Sequence, residues 1–117
     1  MPYMLLIVEP TTQRRTRTEA EGRALYARMQ RFGDELKSRG LLLAVESLAS
    51  QDKAARVEVR ADKTHVLDGP FAEAKEMIGG FFLVDCATRE EAIKIAAECP
   101  AAEWCSVEVR ALAPCYE

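Results

Sequence analysis

The sequence has little of the residue types from which metal and cofactor sites are usually built. It contains one histidine, His65, and four cysteines that form no C-x-x-C pair. Structural zinc sites draw on clusters of such Cys and His ligands, so we expect no metal centre. Haem needs an axial ligand, and a single imidazole is a weak basis for one. The expectation is a protein without a bound cofactor.

Long apolar runs and an excess of positive charge are absent as well. No apolar run approaches the roughly 20 residues that span a bilayer. The net charge of −3 does not suit a broad surface for nucleic acid or anionic membranes. The first residues have no basic leader and no small-residue cleavage site. We expect a cytoplasmic protein with reduced thiols that binds neither nucleic acid nor membrane.

The length of 117 residues fits one domain with a single core, spanning residues 1–117. The continuous apolar run Tyr3–Val8 predicts a first strand that is covered on both faces. Thr18 and Glu21 have the spacing of a capping box, and Gly40 suits a helix end, so a helix is predicted over 18–39. Its apolar stripe consists of Leu25, Met29, Phe32 and Leu36.

The second half of the chain repeats this pattern around a hairpin. Alternation predicts two hairpin strands over 56–60 and 64–67, and a long apolar strand follows over 77–85. Thr88 begins a second capped helix, which Pro100 stops. Further strands are predicted over 41–48 and 105–110.

The order β-α-β, hairpin, β-α-β indicates an α+β fold. We expect a ferredoxin-like split β-α-β arrangement with an extra β-hairpin, in which an antiparallel sheet carries two helices on one face. The two central strands are apolar on both faces, yet two helices cover only one. Because large apolar patches rarely stay exposed, a second copy is expected to cover the other face. The prediction is a homodimer with a cleft near the sheet interface.

The segment Asp68-Gly69-Pro70-Phe71 combines a turn with an apolar anchor. The carboxylate of Asp68 can accept hydrogen bonds from nearby N–H groups and fix the turn. The N–H groups of residues 71–75, together with Lys75, could form a small anion-accepting concavity. Downstream, the pair Gly79-Gly80 in a strand signals a bulge or a close backbone approach.

These residues resemble a known family. The motif at 68–73 with Lys75-Glu76, the run Gly79-Gly80-Phe81-Phe82 and the closing 106–110 strand are similar to the YCII-related, DGPF-type domain proteins of bacteria. The likeness runs along essentially the full chain. It implies a dimeric α/β barrel, a bacterial cytoplasmic location and an undefined activity, in a family often associated with alternative sigma factors. Some YCII-type relatives are credited with a His–Asp pair, and His65 does not match that histidine.

His65 and Asp68 are the candidate catalytic residues. An imidazole oriented by a carboxylate can act as a general base near neutral pH. Side chains three apart in a strand point to opposite faces, so the pair meets only if the chain turns sharply between them. The alternative is a surface histidine beside a turn-forming aspartate.

The candidate ligand-binding residues are Phe71, Glu73, Lys75 and Glu76. The alternative for the charged three is a solvated helical turn, and for Phe71 it is core or dimer packing. Arg14, Arg15 and Arg17 either bind phosphate or an acidic partner or form a solvated loop.

Three functions stay open at this point. One is a dimeric small-molecule-binding or regulatory module, with a sigma factor as a candidate partner. Another is a cofactor-independent enzyme that performs acid–base chemistry on a small metabolite in the dimer cleft. A structural dimerisation domain is the third. The absence of a nucleophile arrangement or a phosphate-binding glycine loop favours binding over catalysis.

Overall fold

The computed structural model describes residues 1–117 as an α+β structure with two helices and two antiparallel sheets. Three short 3-10 turns, over 14–16, 51–53 and 100–103, connect the main elements. The elements follow in the order β1 (Pro2–Pro10), α1 (Glu19–Ser38), β2 (Leu42–Ser47), β3 (Ala55–Arg60), β4 (Lys63–Asp68), β5 (Glu76–Asp85), α2 (Arg89–Glu98) and β6 (Ser106–Ala111).

The main sheet has four strands in the order β2-β5-β1-β6, and every neighbouring pair is antiparallel. The two strands predicted to be the most apolar, β1 and β5, lie at its centre, as expected. The outer strands β2 and β6 do not pair with each other. The sheet is therefore open, and one chain does not close into a barrel.

Local signals in the sequence fix both ends of α1. The Thr18 side chain accepts a hydrogen bond from the backbone N–H of Glu21, and the Glu21 side chain accepts one from the backbone N–H of Thr18. At the other end Gly40 adopts φ of +72°, the left-handed conformation that glycine enters without a steric cost. The predicted capping box and helix span are confirmed to within one residue at each end.

We expect Thr18→Ala to lower the free energy of unfolding by about 1 kcal/mol, because the backbone N–H of Glu21 loses its acceptor, the Thr18 hydroxyl. Urea unfolding followed by far-UV circular dichroism measures the change. Thr12→Ala is the matched control, since Thr12 is exposed and its side chain makes no hydrogen bond. Equal stability of the two variants would contradict the capping role.

Both helices pack against the same face of the main sheet. This face carries the odd-numbered residues of β1 and the side chains of Phe82 and Val84 on β5. Phe32 of α1 meets Phe82 edge to face, with ring centroids 5.1 Å apart. The helices add Leu36, Ala92, Ile95 and Ala96 to the buried cluster. The core is thus one layer between the sheet and its two helices.

The opposite face of the sheet has no helix over it. The cross-strand pairs Met4–Leu83, Leu6–Phe81 and Val8–Ile78 place six apolar side chains along its centre. Charged residues flank this apolar stripe, with Glu46 on β2 and Glu108 and Arg110 on β6. The chain measures 47 × 41 × 19 Å, and the short dimension corresponds to only two layers. We call this surface the open face.

The strands β3 and β4 form a hairpin that stands apart from the main sheet. Its two-residue turn consists of Ala61 and Asp62, both at positive φ, as tight hairpin turns require. All twelve strand residues are exposed. One side carries the valines Val57, Val59 and Val66, and the other carries mainly charged residues.

Neither helix is both long enough and apolar enough to cross a bilayer.

Candidate functional site

The DGPF segment links the hairpin to β5 and is pressed against the residues that precede the hairpin. The Gly69 N–H donates to the carbonyl of Ala54 at 2.8 Å, and Ala74 N–H donates to the carbonyl of Phe71 at 3.0 Å. The Gly69–Pro70 peptide bond is cis. The Asp68 side chain, in contrast, accepts no hydrogen bond from the turn. The predicted role of Asp68 as the residue that fixes the turn is therefore wrong, and backbone contacts hold the turn instead.

Phe71 is the apolar anchor of this turn and is only 7% exposed. The Arg56 guanidinium lies over its ring, 3.8 Å from the centroid, and also forms an ion pair with Glu73. A backbone hydrogen bond at Glu73, followed by the hydrogen bond and charge of Arg56, lowers the pKa of the Glu73 carboxyl. The Arg56 guanidinium thus covers one face of the Phe71 ring and forms an ion pair with the Glu73 carboxylate. Both of these groups were predicted to contact a ligand.

The other two predicted ligand-binding residues, Lys75 and Glu76, are exposed at the start of β5. The side chains of both make no ion pair, while the Lys75 carbonyl accepts a hydrogen bond from Thr11 N–H at 3.0 Å. Of the four predicted ligand-binding residues, Phe71 and Glu73 both contact Arg56, while Lys75 and Glu76 are exposed to solvent.

His65 and Asp68 both lie on β4 and are both exposed. Along the hairpin His65 is opposite Glu58, while Asp68 is opposite Ala55 at the base. Positions three apart in a strand lie on opposite faces, so His65 shares the charged side with Glu58, and Asp68 shares the valine side. Within one chain the structure does not bring the imidazole and the carboxylate together.

A buried ion pair lies at the end of the main sheet, and sequence reasoning missed it. Glu9, near the end of β1, is 5% exposed and accepts a hydrogen bond from Arg14 Nε at 2.5 Å. Arg14 Nη1 also donates to the carbonyl of Leu48 at 3.0 Å. Because Glu9 lies in β1 and Leu48 follows β2, the guanidinium links β1 to the segment after β2.

The absence of a side chain at Gly79 leaves the space that this ion pair needs. A Cβ at position 79 would lie 2.9 Å from Glu9 Cδ and 3.0 Å from Arg14 Nη2. The ion pair therefore crosses β5 where that strand has no side chain, at the bulge between Ile7 and Val8. The predicted close backbone approach at Gly79-Gly80 is confirmed, and this glycine pair was the one sequence signal that pointed to the ion pair.

A pocket of about 300 Å³ lies beside the ion pair, at the edge of the sheet next to β2. The 3-10 turn at 51–53 forms one wall, and the Gln51 N–H points to the Met77 sulfur at 3.4 Å. Lys53 is the only charged residue that lines it. The full lining is Leu48, Ala49, Ser50, Gln51, Lys53, Ala54, Met77 and Ile78. The residues around Gln51 thus contact both the pocket and the DGPF turn.

Three of the four thiols, those of Cys86, Cys99 and Cys105, lie elsewhere and are at least partly buried. Burial raises the pKa of Cys99 to about 11, and burial is also the main cause that raises the pKa of Cys86 and of Cys105. Cys86 is 7% exposed, while Cys115 near the end of the chain is exposed. No group of three or more Cys, His, Asp or Glu side chains is placed to hold a metal ion.

The chain is thus an α+β protein with an open sheet, a projecting hairpin and a pocket formed by β5 and the segment that joins β2 to the hairpin. The model of the YCII-related domain matches residues 1–115, so the chain belongs to the YCII-related domain family. The resemblance seen in the sequence is confirmed.

The chain is also similar to an uncharacterised protein of Rhizobium meliloti (strain 1021), with 43% identity over 76 residues. That alignment covers 63% of this chain and 61% of the relative. The chain thus spans less than two thirds of the length of the curated relative that it matches.

Proposed function

We propose that this protein is a homodimeric module that binds a small molecule in the pocket at the end of the main sheet. The observation that carries the proposal is the pocket itself. It is a depression open to solvent with a volume of about 300 Å³, at the lower end of the range for ligand sites, and five of its eight lining residues are hydrophobic. A mostly apolar lining with a few polar groups is typical of sites for small organic ligands.

The open face supports the second part of the proposal, the homodimer. Six apolar side chains along its centre have no cover within the chain. A patch of this kind on a soluble monomer usually marks an interaction surface. A second copy would present the same stripe, flanked by the same acidic and basic residues, and so would form a self-complementary contact.

The strand order also supports this arrangement. The order β2-β5-β1-β6, with α1 and α2 packed on one face, is what a ferredoxin-like split β-α-β unit with an inserted hairpin would have. Two such units packed sheet against sheet would give the dimeric α/β barrel that the sequence resemblance implies. Ile78 belongs both to the open face and to the pocket lining, so the ligand site would lie at the rim of the dimer.

We expect sedimentation equilibrium at micromolar concentration to give a mass of about twice the 13.0 kDa chain. The variant Leu6→Asp places a carboxylate in the centre of the apolar stripe and should shift the mass to one chain, because an unpaired charge in an apolar interface is costly. Circular dichroism checks that the variant is folded.

Ile93→Asp is the matched control for Leu6→Asp. Ile93 is 42% exposed on α2, away from the open face, and its replacement should leave the mass unchanged. A wild-type mass of one chain would refute the dimer, whatever the variants do.

A thermal-shift screen against a metabolite and fragment library tests the binding function. A ligand that binds the folded chain raises its melting temperature by mass action. We expect at least one small organic compound to do so, and Ala54→Trp, which fills the pocket, to abolish its effect. A screen that yields no stabilising compound would count against the binding function and leave dimerisation as the only role.

A regulatory role with a sigma factor as partner stays part of the proposal. The hairpin side with Val57, Val59 and Val66 is the surface that would suit such a protein partner, because these valines are 58–63% exposed. Pull-down of purified sigma factors with the wild-type chain and with Val59→Lys would test it. Equal recovery with both proteins, or none, would argue against this surface.

The enzymatic alternative depends on His65 and Asp68. It would need a partner copy or a ligand to bring the two side chains to about 3 Å, since they lie on opposite sides of the hairpin in one chain. No contact of His65 favours this function over binding.

A further inference from the structure

We propose that the pocket selects small organic carboxylates, with Lys53 and Arg14 as the groups that recognise the anion. This inference rests on the proposed binding function and names the chemical class of the ligand.

The pocket is basic although the chain carries a net charge of −3. Lys53 lines it, no acidic side chain does, and Lys53 forms no ion pair with any residue of the chain. The Lys53 side chain is exposed, so its ammonium group is accessible to an anion that enters the pocket.

Arg14 adds a second cation at the edge of the pocket. Its Nη1 lies 3.0 Å from the carbonyl of Leu48, a residue that lines the pocket. The guanidinium has five N–H groups, of which one on Nε donates to Glu9 and one on Nη1 donates to the Leu48 carbonyl. The Arg14 side chain is 35% exposed, so part of it can contact a ligand.

Glu9 and Leu48 hold this guanidinium in place before any ligand arrives. Binding to a fixed guanidinium costs less side-chain entropy than binding to a free one, which favours a planar anion such as a carboxylate. The Glu9 carboxylate offsets the charge of Arg14, so the net positive charge at the site comes from Lys53.

The other residues that line the pocket determine which non-ionic part of a ligand can bind. Leu48, Met77 and Ile78 offer apolar surface, and a methionine side chain adapts to ligands of different shape. An aliphatic or aromatic acid, with a single carboxylate at one end and an apolar remainder, fits this combination. A highly charged ligand such as a nucleotide does not, because most of the lining is apolar.

Methyl-labelled NMR can test the inference with matched pairs of probes. Octanoate and phenylacetate carry a carboxylate, while octanamide and phenylacetamide have the same body without the charge. At pH 7 we expect the acids to shift the methyl signals of Leu48, Met77 and Ile78 saturably. The amides should bind on the order of tenfold more weakly, because they lack the ionic hydrogen bonds.

The variant Lys53→Gln should weaken binding of the acids by a similar factor and leave the amides unchanged. Lys63→Gln, at the exposed start of β4, is the matched control and should have no effect on either. Lys53 is exposed and unpaired, so its replacement is not expected to unfold the chain.

Two other results would overturn the inference in distinguishable ways. Amides that shift the same methyl signals as strongly as the acids, or acids that bind Lys53→Gln as well as wild type, would refute carboxylate selection while the binding function stands. If neither acids nor amides move these signals and the library screen also yields no ligand, the binding function fails together with it.

Discussion

Replacing Arg14 by methionine is expected to lower the free energy of unfolding by about 3 kcal/mol. The change leaves the Glu9 carboxylate without a cationic partner. The Glu9 side chain is only 7% exposed, so water cannot replace the lost partner well. Breaking a buried ion pair by removing one member costs roughly 3–5 kcal/mol. We take the lower end because the Arg14 side chain is 35% exposed and its charge is partly screened by water.

Urea unfolding of Arg14→Met, Glu9→Gln and the double variant measures the coupling between the two side chains. The double variant should be more stable than Arg14→Met alone, because it leaves no unpaired buried charge. Arg15→Met is the matched control, since Arg15 is exposed and forms no ion pair, and it should stay within about 0.5 kcal/mol of wild type. If Arg14→Met also stayed within that range, the ion pair between Glu9 and Arg14 would not stabilise the fold.

The helices and the hairpin could be predicted from sequence because their signals are local. The capping box of Thr18 and Glu21, the apolar stripe and Gly40 all lie within one stretch of chain and predict α1 nearly to its ends. The alternation of charged and apolar residues likewise predicted the hairpin, whose turn is the two residues Ala61 and Asp62.

The candidate site could not be predicted in the same way, because it joins distant segments. Arg14 contacts Leu48 across a separation of 34 residues and passes over Gly79, which is 31 residues further along the chain. In the sequence Arg14 is one of three loop arginines, and nothing local separates it from Arg15. The pocket is likewise formed by the segment around Gln51. In the sequence this segment shows only that one predicted strand ends and the next has not yet begun.

The DGPF motif makes contacts within the chain that its sequence did not indicate. Its charged and aromatic residues suggested contacts with a ligand, yet Phe71 and Glu73 are joined through Arg56 within the chain. The motif also contacts the segment that lines the pocket, through the hydrogen bond from Gly69 N–H to the Ala54 carbonyl. Its contribution to the proposed site is therefore to position the residues around Gln51.

Gly69→Ala tests that positioning role and should be the second strongly destabilising change, by about 3 kcal/mol. A Cβ at position 69 would lie 1.9 Å from the carbonyl oxygen of Gln51 and 3.1 Å from its carbonyl carbon. No real contact is that short, and the obstacle is backbone, so either the DGPF turn or the segment around Gln51 must move. Overpacking of this kind costs roughly 1–3 kcal/mol, and a backbone obstacle places this case at the upper end.

Gly22→Ala is the matched control, because a Cβ at position 22 within α1 would meet nothing within 4 Å. It should stabilise the chain by roughly 0.5–1 kcal/mol, since alanine has the higher helix propensity. Methyl NMR of Gly69→Ala should in addition show shifts at Met77, whose sulfur contacts the Gln51 N–H. A Gly69→Ala protein as stable as wild type, with the Met77 signal unmoved, would mean that the DGPF turn does not support the pocket wall.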